Sequence, residues 1–222
     1  MKPIPWSPSS LSDFVNCPRS FYEKRILKSV KQEDTEQTIW GNKVHKAFEE
    51  RHLNGTPLPP DLDDHEAFML QLTVIPGQHY TEQKIALSTA LTPCGFFDDN
   101  VFMRAIIDYL KVTDDRALIV DYKTGKPHNK FGQLKLNALW VFQQHPAVQK
   151  IKVMYYWTKT MTVTDQQYAR ADIPALWAEF VPDLKQYKEA FKTDTWQPRQ
   201  SGLCHGWCPV TTCEFWRPKR NR

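Results

Sequence analysis

The chain has no apolar run near the roughly 18 residues that a membrane-spanning helix needs, so a membrane protein is not expected. Its opening, Met1-Lys2-Pro3-Ile4-Pro5, lacks the apolar core of a signal peptide, so export is not expected and a cytoplasmic setting is. No G-x-x-x-x-G-K-[ST] loop occurs, which excludes a helicase motor of the P-loop kind. Internal repeats and low-complexity stretches are missing as well. Charge of one sign is scarce: 29 basic against 25 acidic residues leave a net +4, too mild to indicate a nucleic-acid partner alone. Cysteines number only five, an odd count that argues against a paired disulfide framework.

What is present is a globular composition, 41% hydrophobic and 24% charged over 222 residues. That length fits one domain with a small annex and is ample for a core without disulfides. Eight Trp and twelve Phe point to a busy core or an aromatic-lined surface. Cys204, Cys208 and Cys213 cluster near the C-terminus, Cys17 lies near the N-terminus, and Cys94 stands alone as a small buried hydrophobe. Without an export signal, such a cluster reads as metal binding before it reads as disulfides.

Ser7-Pro8-Ser9-Ser10, followed by Leu11, Phe14 and Val15, predicts a capped helix that Pro18 interrupts, leaving Cys17 beside the bend. Ile39, Trp40, Val44, Ala47 and Phe48 predict a second helix over about 38–53, closed by Asn54-Gly55-Thr56-Pro57. A short helical stretch follows over about 64–72. Strands are expected over 79–88, 101–112, 116–123 and 151–158, with a short one near 167–170. Helices are expected over about 131–144 and 173–191. The fold class is therefore α/β, a mixed central sheet flanked by helices.

The chemistry is concentrated in one hairpin. Ile106 to Val112 and Ala117 to Lys123 are apolar strands joined through Thr113-Asp114-Asp115-Arg116. With Asp114-Asp115 as the loop, Asp108 falls opposite Asp121. Opposed residues have Cβ atoms about 4.5–5.5 Å apart, so like charges there repel. A divalent cation between them removes the conflict, because hard cations take carboxylate ligands. Lys123, two residues beyond Asp121, shares its face and can stabilise charge building on a phosphate. A surface hairpin with solvated charges is the competing reading.

Asp108 with Asp121-Tyr122-Lys123-Thr124-Gly125 resembles the RecB-like branch of the PD-(D/E)xK nuclease superfamily. Gly41-Asn42-Lys43-Val44-His45 is similar to its Gly-x-x-x-His segment, whose histidine is a metal ligand. Gln133-Leu134-Lys135-Leu136 resembles its Gln-bearing helix, although Asn137 stands where many members carry Tyr. Ala105 stands where a glycine is usual. Cys17-Pro18-Arg19 with Cys204, Cys208 and Cys213 resembles the four cysteines that hold an iron–sulfur cluster in AddB-type and CRISPR-associated members.

The resemblance implies a restriction-endonuclease-like nuclease core over about 38–192 within a single domain spanning 1–222. A cluster annex would come from about 9–30 and 196–216. It implies that His45, Asp108, Asp121 and the carbonyl of Tyr122 hold Mg²⁺ or Mn²⁺, with Lys123 and Gln133 completing the catalytic set. Gly41, one turn before His45, would let the helix approach closely. Glu82 matches loosely an acidic residue ahead of the first metal aspartate, and is expected to be a solvated strand-edge residue. The four cysteines would hold one 4Fe-4S cluster, with Zn²⁺ as the alternative.

The implied activity is a divalent-metal-dependent DNA exonuclease, in a bacterial cell or phage-infected host, acting on DNA with a free end. A helicase or recombination partner would supply any unwinding. A structure-specific endonuclease of the same fold and a non-catalytic, metal-stapled DNA-binding module are the alternatives. The basic tail 217–222 would add salt-sensitive affinity for DNA.

Overall fold

The computed structural model describes residues 1–30 and 34–219, so the last part of the basic tail, Arg220, Asn221 and Arg222, lies outside the described residues. The chain divides into two compact units, Asp34–Trp177 and Met1–Glu33 with Ala178–Arg222. Among the described residues, no helix is long and apolar enough to cross a membrane.

The larger unit is built on a five-stranded mixed sheet in the order β1-β2-β3-β4-β5. Its strands are β1 (Gln78–Ser88), β2 (Val101–Val112), β3 (Arg116–Lys123), β4 (Lys150–Trp157) and β5 (Thr162–Ala169). Neighbours run antiparallel except β3 and β4, which pair in parallel from Arg116↔Lys150 to Lys123↔Trp157. A parallel pair needs a crossover connection, and the helix over Gly132–Gln144 supplies it. That helix buries Leu134, Leu136, Ala138, Leu139, Val141 and Phe142, which suits a segment laid against a sheet face. β5 is longer than its sequence predicts. As an edge strand with mostly exposed residues, TVTDQQYA carries no alternating apolar pattern to reveal it.

The opposite sheet face is covered by a 19-residue helix, Glu36–Asn54, and a shorter one, Glu66–Val74. Thr35 caps the long helix, its side chain accepting from Thr38 N–H at 3.2 Å, and Gly55 ends it at φ 67°. Val44 and Phe48 from this helix, and Met69 and Leu72 from the next, pack on Tyr109, Val120, Tyr122 and Tyr156 of the sheet. Arg51 joins the two helices by a forked pair with Glu66, Nε lying 2.8 and 3.0 Å from the carboxylate oxygens.

The smaller unit opens with a nine-residue helix, Pro8–Asn16, closed by a capping box between Ser7 and Ser10. Cys17 follows in an extended conformation at φ −163°, and Pro18 starts the next turn, Pro18–Phe21. The interruption falls where a proline without an N–H must break the ladder. Phe14, Phe21, Tyr187, Phe191 and Trp196 form its aromatic core, with edge-on contacts such as Phe14 on Tyr187 at 5.2 Å.

Candidate metal centre

The hairpin register follows from its loop. Thr113 N–H donates to Arg116 O at 2.8 Å, and the β2–β3 ladder runs from Val112↔Ala117 to Tyr109↔Val120. Asp108 and Asp121 are the next pair, and there the ladder stops. Instead of a strand-to-strand bond, Tyr122 N–H donates to Asp108 Oδ2 at 2.8 Å. The two aspartates therefore do not sit as a regular ladder pair; one carboxylate has replaced the backbone acceptor.

The other ladder of β2 opens at the same residue. Thr81 pairs with Tyr109 and Gln83 with Ile107, which leaves Glu82 across from Asp108 without a ladder bond. Glu82 has φ 46°, in the left-handed region that a residue with a Cβ adopts only when its surroundings impose it. Asp108 thus stands between two interruptions, and both free its surroundings for side-chain ligation.

His45 reaches this gap from the long helix. Its Nδ1 lies 3.4 Å from Asp108 Oδ2 and 3.8 Å from Glu82 Oε1. Ligand atoms of His45, Glu82 and Asp108 all lie within 4.8 Å of one another. Glu82, expected to be solvated at a strand edge, is instead a member of the group. Its alignment with Asp108 could not be counted from sequence, because the residues between β1 and β2 form no short turn of known register.

Asp121, only 2% exposed, belongs to a second set. Gln133 Nε2 donates to its Oδ1 at 2.5 Å, and Lys123 Nζ donates to Gln133 Oε1 at 3.1 Å. Lys123 Nζ also lies 2.5 Å from Asp121 Oδ2, an ion-pair contact outside hydrogen-bond alignment. Asp121 Oδ2 is thus a buried carboxylate oxygen whose partner is the Lys123 ammonium, and Asp121 lies outside the His45, Glu82 and Asp108 group that could hold a cation. Asn137, on the same helix as Gln133, is 1% exposed, so that position offers nothing to a DNA strand.

Tyr122 contributes in two ways. Its N–H points at Asp108, so its carbonyl, on the same edge of the strand, faces the same opening. Its ring points to the other face and is gripped by the long helix. Phe48 meets it edge-on at 4.8 Å, His45 at 6.2 Å, and the hydroxyl lies 3.0 Å from His52 Nε2. His45, Phe48 and His52 form one helical stripe, so the tyrosine fixes the rotation that aims His45 at the carboxylates. Spacing shows that stripe, but its tyrosine anchor depends on tertiary packing. An added Cβ at Gly41 would meet Thr124 Oγ1 at 3.6 Å, an ordinary contact, so close approach of the helix does not require glycine there.

The electrostatics follow from burial and crowding. Burial, and then the charge of Asp121, push Asp108 up to about 8, against the pull of His45 and the Tyr122 N–H. For His45, burial works against the charged ring, but Glu82, Asp108 and Asp121 outweigh it and raise its pKa above the usual value. Burial, with His79, Arg51 and Lys111 nearby, lowers His52 to about 4, so it meets the Tyr122 hydroxyl as a neutral ring.

The four clustered cysteines are all free and half-buried, and Cys17, Cys204, Cys208 and Cys213 line one cavity of the smaller unit. Cys17 Sγ accepts the N–H groups of Ser20 at 3.5 Å and Arg199 at 3.4 Å, and Cys204 Sγ accepts that of Ser201 at 3.5 Å. Cys94, expected to be a buried hydrophobe, is only half-buried in the larger unit, where partial desolvation raises its thiol pKa.

The profile of the PD-(D/E)XK nuclease superfamily matches residues 5–213. The chain belongs to this superfamily. A candidate exonuclease from Eubacterium rectale is similar in fold, with a TM-score of 0.55 and 11% identity, covering 95% of this chain and 86% of its own. SSO0001 aligns at a TM-score of 0.43 and 15% identity, over 96% of this chain and 87% of its own. LHK-Exo, in complex with dAMP, aligns at 0.39 and 11%, over 85% and 88%. No curated protein sequence matches the chain significantly. A PD-(D/E)XK nuclease commonly uses divalent metal, and the His45, Glu82 and Asp108 group is where this one could bind it.

Proposed function

We propose that the chain is a divalent-metal-dependent deoxyribonuclease of the RecB-like, iron–sulfur type, working as an exonuclease from a free DNA end. One observation carries the reading: His45, Glu82 and Asp108 converge where both ladders of β2 open, next to the Asp121, Lys123 and Gln133 triangle. His45, Glu82, Asp108, Asp121 and the carbonyl of Tyr122 are the ligands. Asp108 and Asp121-Tyr122-Lys123 form the D…DxK pattern of the superfamily's name, with Ile107 in place of its proline. Bound Mg²⁺ or Mn²⁺ supplies Lewis-acid activation of water and of the scissile phosphate.

The remaining chemistry belongs to the chain. Lys123 brings an ammonium to the phosphate and stabilises the charge that builds on its oxygens. Gln133 holds Lys123 through its carbonyl and Asp121 through its amide, so it fixes their separation. The histidine's orientation is fixed by Tyr122 from behind. A separate helicase or recombination partner unwinds the duplex where that is needed.

Cys17, Cys204, Cys208 and Cys213 hold a structural 4Fe-4S cluster in this reading. Four free thiols around one cavity, with backbone N–H groups on two of the sulfurs, are the donor set a cluster needs. Zinc, held by the same four thiolates, is the alternative occupant.

The test is digestion of 5′- and 3′-labelled linear DNA and of closed-circular DNA with Mg²⁺, Mn²⁺ or EDTA. The proposal expects metal-dependent shortening from an end and intact circles. Cleaved circles would instead favour an endonuclease, and no cleavage of any substrate with either metal would refute the nuclease reading.

A further inference from the structure

The sheet face that carries the metal-site carboxylates does not end there. Along β2, Ile106 and Arg104 share the face of Asp108, about 7 and 14 Å up the strand. Across the β1–β2 ladder, Lys84 pairs with Ile106 and Ala86 with Arg104, so Lys84 follows Glu82 on that same face. Beyond them the loop before β2 places two aromatic rings. Phe96 and Phe97 meet edge-on at 5.1 Å, and Phe97 is 78% exposed. Lys84 Nζ lies 6.0 Å from both rings, and the Arg104 guanidinium lies 5.3 Å from that of Phe96. Ile106, in the middle of the row, is 40% exposed.

The cation–π contacts hold Phe96 against Lys84 and Arg104, but they leave Phe97 and Ile106 facing water. Neither Lys84 nor Arg104 makes an ion pair among the described residues, and the neighbouring Asp98 is turned into its own loop, accepting Gly95 N–H at 2.8 Å. Exposed rings with unpaired cations between them suit a chain that offers flat bases and phosphates alternately.

We propose that Lys84, Arg104, Ile106, Phe96 and Phe97 form a subsite for single-stranded nucleic acid that continues into the metal centre. Lys84 and Arg104 take phosphates, and Phe97 offers a face on which a base stacks. The subsite rests on the nuclease reading only for its direction, because the row starts at Glu82 and Asp108. Its affinity is measurable without cleavage.

The experiment measures anisotropy of a fluorescein-labelled single-stranded oligo-dT and of a blunt duplex, in EDTA, with the full chain. Hydrolysis of bis(p-nitrophenyl) phosphate with Mn²⁺, a diester too small to reach the row, is followed in parallel. Phe97→Ala should weaken oligo-dT binding at least about fivefold, the loss of one stacked base, while leaving the duplex and the small diester unaffected. Lys84→Ala with Arg104→Ala should reduce the slope of log affinity against log salt by about 0.7 for each cation removed. Unchanged oligo-dT affinity and slope, or an equal loss for strand and duplex, would overturn the subsite and leave the row as a surface for another partner. Failure of the parent to hydrolyse either DNA or the small diester would refute the nuclease reading instead, with the binding arm still deciding the subsite.

Discussion

Two carboxylates brought together by adjacent strands are costly in the absence of metal, and the cost appears on Asp108, which burial and the charge of Asp121 push up to about 8. Asp121→Asn keeps the shape that Gln133 recognises and removes the charge. Thermal unfolding in EDTA should therefore find this variant at least as stable as the parent; a clear loss would mean that Asp121 is a structural ion-pair partner of Lys123. Lys123 sits differently, part-exposed and held by Gln133 at 3.1 Å. Lys123→Ala should lower kcat by about a hundredfold to a thousandfold, the scale of losing one donor to a developing charge, with little change in Kd for Mn²⁺. A rise in KM at constant kcat would reduce Lys123 to a phosphate contact. At this scale the sequence was informative wherever a short loop allowed residues to be counted across a ladder, as for Asp108 and Asp121. It was silent where a long connection separated partners, as for Glu82, and where a ring acts through packing, as Tyr122 does on His45.

Each element brings its residues to the site by its own local logic. The long helix Glu36–Asn54 presents His45, Phe48 and His52 as one stripe against Tyr122, so its rotation and the histidine's aim are a single variable. Tyr122→Phe leaves the ring and deletes the hydroxyl that meets His52, which should cost about 1 kcal/mol of stability in chemical denaturation while activity persists. The β2 strand carries the titration. Between 3.8 and about 8 the native state keeps a proton on Asp108 that the unfolded chain has released, so metal-free stability falls as pH rises. His45, raised above its usual value, acts in the same direction. His52, lowered to about 4, acts oppositely but only up to its ordinary 6.5. Urea unfolding in EDTA should thus show stability dropping from pH 6.5 to 8 by roughly 2 kcal/mol, part of the roughly 6 kcal/mol that the whole Asp108 window spans. Asp108→Asn should remove most of that drop, and an unchanged pH profile would contradict the burial of a strained carboxylate.

On the scale of the whole molecule, the sheet and its crossover were legible because buried strands and helices differ in period: β2 and β3 lie where alternation and apolar runs placed them. Of the edge strand β5 only the end was legible, since a solvated edge has no apolar face to display. The cysteines that meet in the smaller unit come from opposite ends of the chain, and only their chemistry, not their spacing, links Cys17 to the other three. Closing so long a loop restricts the unfolded chain, so if the four thiols hold the proposed cluster its loss should be felt mainly as instability. Cys17→Ser should abolish iron and sulfide content and brown colour in anaerobically purified protein and lower its Tm; a colourless parent with stoichiometric zinc and no iron would overturn the cluster while leaving the metal centre of the larger unit standing. The central claim is that the residues gathered around Asp108 and Asp121 cleave DNA. Its most direct measurement is the single-turnover cleavage rate of end-labelled linear DNA in Mn²⁺ by the parent and by Asp121→Asn, both shown to be folded. Metal-dependent cleavage by the parent, abolished by EDTA, and no cleavage above background by the variant are expected. Equal rates for the two proteins would refute a catalytic role for this group.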